Sequence, residues 1–250
     1  MSKSTTTSIN SLERAQRTAA RIVGFLYLFT NATAIFAFSV RGKLIVPRDA
    51  VQTATNIAAS ERLFRIAIAT ELITVVGVVV LVWGLYVILE PIDRNLVWLA
   101  TFLRLAENFV LAFVTVQELA VLAVGKGPAY LQAFSTQQLQ GLAYTFIRVY
   151  DSTFNIGFLF LGLGSALFSY LWFRSRYIPR LLAGWGIFAS SLMAFMSLTL
   201  IVFPGLASMG MIYMMPMGIY EFGLGFWLLI KGIQAPPRVL ESPATNLTSR

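Results

Sequence analysis

Apolar residues in this chain fall into six blocks, 19–40, 63–89, 96–124, 144–173, 181–203 and 211–231, separated by short polar stretches. Each block is at least as long as the roughly 20 residues a helix needs to cross a bilayer. None shows the strict alternation of a half-buried strand, so all six are predicted to be helices. The breaks have recognisable causes. Glu90-Pro91 stops the second block, 125–128 the third, and Pro204-Gly205 the fifth, while Pro179 separates the fourth from the fifth. Ser135 with Gln138 three residues on forms a capping box that opens the fourth helix early. The expected fold is all-α, a polytopic membrane protein of six transmembrane helices.

The polar remainder completes this outline. Residues 1–18 read as a cytoplasmic N-terminal segment, 19–233 as the transmembrane domain, and 234–250, rich in Pro, Ser and Thr, as a disordered cytoplasmic tail. The first block follows about twenty polar residues rather than a short charged region, so it is expected to stay uncleaved. With both termini placed inside, eleven Lys and Arg fall on the cytoplasmic side and seven on the outer side, Arg41 among them. That bias predicts a multi-pass protein of the inner membrane with both ends cytoplasmic. The loop 46–65 has apolar residues at helical spacing and is expected to lie on the outer surface as an amphipathic helix. The same expectation holds for 128–142.

Composition changes the picture mainly by exclusion. Of the 250 residues 57% are apolar and 12% charged, with a mean hydropathy of +0.74, where a soluble domain would be about 25% charged. There is no Cys and no His. Disulfides, thiolate nucleophiles, Cys/His zinc sites, imidazole haem ligands and imidazole-based triads are therefore excluded. The net charge of +8 matches loops facing anionic lipid headgroups, and no basic run with interleaved aromatics marks a nucleic-acid partner.

The third block holds what composition does not explain. In "TFLRLAENFV", Arg104, Glu107 and Asn108 interrupt an apolar helix, and an ionised side chain near the bilayer centre costs roughly 2.5 to 3.5 kcal/mol even on lenient scales. At about 100° per residue they share one arc of the helix with Thr115 and Glu118. The fourth block adds Arg148, Asp151 and Asn155 on one face. Glu221 in the sixth, Glu71 in the second and Asn31 in the first fall at comparable depths. Thr115 apart, these ten residues are the candidate ligand- or proton-binding positions. In the central layer one cation, Arg104, meets two carboxyls, Glu107 and Glu221, and a guanidinium bridges only one of them at full strength.

The pieces "RIVGFLYLF", "RGKLIVPRDAVQTATNIAASERLFRIAIATELI", "LEPIDRNLVWLATFLRLAE", "YLQAFSTQQLQGLA", "FRSRYIPR" and "EFGLGFWLLIKGI" occur in this order. In them the chain resembles a family of bacterial multi-pass membrane proteins known only as a domain of unknown function, the family numbered 4386. The resemblance covers about residues 21–233 and implies topology without chemistry. Internally, 24–48 lines up with 157–180, and Glu107 then corresponds to Glu221. Two three-helix halves of opposite orientation would produce this pattern, as in many transporters. Two helices ending in a similar basic-Pro segment would produce it as well.

Two functional readings remain open. In one, the polar layer is a pocket for a small or amphipathic ligand that moves with a proton. In the other, the protein is a non-transporting subunit or regulator that meets a partner protein or a second copy, and Arg104, Glu107 and Glu221 form an ionic lock between the third and sixth helices. Arg148 with Asp151 also reads as an intrahelical pair, and Glu71 and Glu118 as waterside residues at the mouth of the bundle. Enzyme readings fail: "VYD" at 149–151 resembles half of an intramembrane aspartyl dyad, but Ser165 stands where the second Asp is needed. Gly24, Gly157, Gly162, Gly164, Gly184 and Gly186 fit helix packing rather than phosphate loops. Met209, Met211, Met214, Met215 and Met217 fit packing rather than a soft-metal site. No cofactor and no metal is expected.

Overall fold

A computed structural model describes residues 2–125 and 133–234, with side chains for 14–125, 133–206 and 212–234. Among the described residues seven α-helices follow one another: α1 Ser2–Leu44, α2 Ala50–Ala59, α3 Glu61–Leu89, α4 Arg94–Gly125, α5 Thr136–Ser175, α6 Arg180–Val202 and α7 Met215–Ile230. A 3-10 segment, Pro204–Met214, joins α6 to α7. Six of these elements are long and apolar enough to cross a membrane, and no strand occurs among the described residues.

The turn chemistry acts where the sequence places it. Ser135 accepts from the Gln138 backbone and Gln138 returns the bond, so α5 begins at Thr136, well before the apolar block. Asp93 accepts from the Leu96 backbone N–H at 3.1 Å at the start of α4, and Arg174 from the end of α5 donates to it at 2.8 Å. The first loop forms the expected helix, with the Asp49 side chain accepting from Gln52 and with Thr53 and Ile57 buried as α2 packs on α5. Of the similar expectation for 128–142, residues 128–132 lie outside the described residues, as do the tail beyond 234 and the side chains of Met209 and Met211. The sixth span differs from expectation. Its α-helix starts only at Met215, about 24 Å long at 1.5 Å per residue, because Pro204 and Pro216 favour a tight 3-10 entry.

The spanning helices stand in a ring in chain order, and α7 closes it against α1. Small residues allow the closest contacts. A Cβ on Gly24 would sit 2.5 Å from the Leu229 nitrogen, and one on Gly162 2.6 Å from the Ala194 nitrogen. The buried apolar side chains form two separate clusters. One runs from Ala20 and Leu89 to Leu171 and Leu228, and the other joins Val40, Phe64, Leu122 and Ile147 at the opposite end. Polar residues and a cavity occupy the level between them.

Gly24 and Gly157, which the sequence aligns, both sit at contacts between helices. Gly24 lies against Gly225 and its counterpart Gly157 lies against Leu111. Gly225 and Leu111 each follow their glutamate, Glu221 and Glu107, by four positions.

Candidate functional site

α4 carries its two chemistries on opposite faces. Arg104, Glu107, Asn108, Thr115 and Glu118 are all buried, while Phe102, Phe109, Phe113 and Val116 are exposed on the side that meets lipid in a spanning bundle. The inward arc borders a cavity of about 630 Å³ with walls from all six spanning helices.

In the central layer Arg104 pairs with Glu107 on its own helix, Nη1 to Oε2 at 2.9 Å, both side chains almost fully buried. Glu221 lies within ion-pair distance of no Lys or Arg among the described residues. Asn31 of α1 instead donates to its Oε2 at 3.0 Å and also to the Tyr27 carbonyl at 2.9 Å. Asn108 donates to the Val75 carbonyl of α3 at 2.9 Å, leaving its buried Oδ1 without a partner. Among the described residues Arg104 and Glu221 thus form no ion pair, since at i,i+3 Glu107 reaches the guanidinium first.

A second charged layer lies toward the other end, and its cation is Arg41. The sequence reading put Arg41 in a loop. In fact α1 continues through Leu44, and Arg41 is 6% exposed. Its Nη1 contacts Glu118 Oε1 at 2.5 Å, its Nη2 lies 3.7 Å from Asp151, and its guanidinium carbon lies 3.3 Å from the centroid of the Tyr150 ring. Tyr150 donates its hydroxyl to Glu71 Oε1 at 2.9 Å, and the Glu71 and Glu118 carboxyls sit against each other. Glu118 is thus an interior partner, 2% exposed, rather than a waterside residue, because the longer α1 brings a cation to it. Glu71 is half-buried and lines the cavity.

The structure does not bring the other candidates into the cavity. Arg148 pairs with Asp151 at 3.2 Å on the exposed side of α5, as the intrahelical reading has it. Asn155 accepts from the Tyr213 hydroxyl at 3.4 Å outside the cavity wall. Arg41 and Tyr150 were missed, though Arg41 lies on the face of α1 shared by Tyr27 and Ala34 once the helical period is carried past residue 40. Met193, Met214, Met215 and Met217 all line the cavity, and Met217 also accepts from the Ser190 hydroxyl at 3.7 Å.

Among the cavity's ionisable groups, Arg104 neutralises Glu107, while Glu71 and Glu221 have no Arg or Lys within ion-pair distance among the described residues. Carboxyls so placed are stable only with a proton, a hydrogen-bonding partner or a bound cation. Ring, cavity and intramembrane carboxyls together define a multi-pass α-helical membrane protein with a polar centre. The chain belongs to the family described as Domain of unknown function (DUF4386), which it matches over residues 22–232. No curated protein and no solved structure matches it.

Proposed function

We propose that this protein binds a small or amphipathic ligand in the central cavity and that its movement across the membrane is coupled to a proton. The observation that carries this reading is a cavity of about 630 Å³ at the level where the apolar core is interrupted, lined by two carboxyls with no guanidinium partner. A purely structural bundle gains nothing from that combination, since apolar side chains would fill the space at lower cost. The wall includes Ile35 and Met215, both more than half exposed. That placement supports access for an amphipathic molecule from the lipid. The sequence alignment of 24–48 with 157–180, which sets Glu107 opposite Glu221, fits alternating access. In this reading the protein is not an enzyme, sits in the inner membrane with both termini cytoplasmic, and uses neither cofactor nor nucleic acid.

Glu221→Gln tests it. A ligand-stabilisation screen on purified wild-type protein is expected to find compounds that raise the melting temperature in a pH-dependent way. The variant is expected to lose that response while its ligand-free melting temperature stays within a few degrees. Destabilisation without any ligand effect would sink the reading.

A second reading, a non-transporting subunit that binds a partner protein or a second copy, is favoured by Arg41 and Glu118. Their buried pair joins α1 to α4 and serves as a lock without any ligand. A partner co-purifying in fixed ratio, with no compound shifting the melting temperature, is the result this reading expects.

A further inference from the structure

Two acceptors on the cavity wall, in Glu221 and Asn108, have an oxygen without a hydrogen bond. Glu221 uses Oε2 for Asn31, and its Oε1 has no partner among the described residues and is not sealed from the cavity. Asn108, 4% exposed, has its amide nitrogen committed to Val75 and its Oδ1 unpartnered. Both residues line the cavity. These atoms are acceptors; the guanidinium of Arg104, which also lines the cavity, lies against Glu107 at 2.9 Å, with its Nη1 outside hydrogen-bond geometry. The remaining wall offers aromatic and thioether surface from Phe38, Phe154, Phe158, Phe222, Met214 and Met217. Aromatic faces attract a desolvated cation, and Met adapts to varied apolar shapes.

We propose that the ligand is a hydrophobic organic cation, an alkyl- or arylalkylammonium, whose head binds Glu221 while its apolar part lies on the aromatic wall. This rests on the reading of the cavity as a ligand site and narrows it. Binding to the protonated protein releases one proton: the Glu221 O–H bond breaks, the proton leaves to water, and the ammonium keeps its own protons and takes the proton's place at the carboxylate. The ionisable groups near Glu221 are Tyr27 from α1, Arg104 and Glu107 from α4, and Tyr220 on α7 itself. Tyr213 in the 3-10 segment turns to Asn155, and the ionisable residue of α6, Arg180, is at its first position.

Calorimetry on the purified full chain in detergent tests this with three probes of matched size: phenylbutylammonium, phenylbutanol and phenylbutyrate. The ammonium is expected to bind at least about tenfold more tightly than the other two, a difference of about 1.4 kcal/mol. Its affinity is expected to fall as pH is lowered, with one proton released per cation in unbuffered solution. Glu221→Gln is expected to lose at least about tenfold in ammonium affinity and to leave the weak alcohol binding unchanged. Equal binding of alcohol and ammonium overturns the cation inference and leaves the ligand cavity standing. Binding of none of the three, with no hit in a wider screen, overturns both. Should the variant fail to fold, proton release by the wild type decides alone: ammonium binding without it overturns the proposal.

Discussion

Arg41 shows how much a single side chain's place depends on distant parts of the chain. It is held by Glu118 from α4 and by the ring of Tyr150 from α5. Arg41→Met leaves Glu118 buried and unpaired, which by the usual cost of breaking such a pair destabilises by about 3 to 5 kcal/mol. Equilibrium unfolding in mixed micelles is expected to show this, and to show most of the loss recovered when Glu118→Leu is added. Asp93 behaves differently because it lies in the turn before α4. The Leu96 backbone N–H, with help from Arg174, holds its carboxyl below the ordinary carboxylate range. A lowered folded-state value means its stabilisation is fully present above that ordinary range and disappears as pH falls through the lowered value. Asp93→Asn is therefore expected to lower stability at neutral pH and to flatten the acid limb of the stability profile.

Between helices, contact distance decides what a small residue is for. Gly162 faces the backbone of α6 at Ala194 and Ser190, whereas a Cβ on Gly184 meets nothing within 4 Å. Gly162→Ala must push α5 and α6 apart and is expected to destabilise by about 1 to 3 kcal/mol. Gly184→Ala gains helix propensity and is expected to raise stability by up to about 1 kcal/mol. Paired unfolding curves check both. The sequence groups these glycines as packing residues and has no means of separating them, because the neighbour that makes one indispensable comes from another helix. The same holds for helix ends: the capping box of α5 is legible from Ser135 and Gln138, but the shortening of α7 depends on how the chain from Pro204 onward turns back to the ring.

For the whole molecule, orientation is open to a direct test, since the chain contains no Cys. Gln52→Cys and Asn95→Cys place single thiols at exposed positions on opposite ends of the bundle. With both termini cytoplasmic, a membrane-impermeant maleimide is expected to label the first and not the second in intact spheroplasts. The reverse pattern would place the termini outside.

Local pattern was enough to determine the six spans, their punctuation and the inward arc of α4. Block length, proline and glycine breaks, and helical periodicity act within a few residues of one another. It was also enough to nominate Glu107 and Glu221 as a related pair and to raise the question of which one lacks Arg104. Only the tertiary structure answered that question. Arg104 turns to its own helix, Asn31 takes Glu221, and α1 runs long enough to carry Arg41 inside. Which acceptor a buried cation meets depends on distances between helices far apart in the chain. A charge count along the sequence can require a partner, but only packing chooses it.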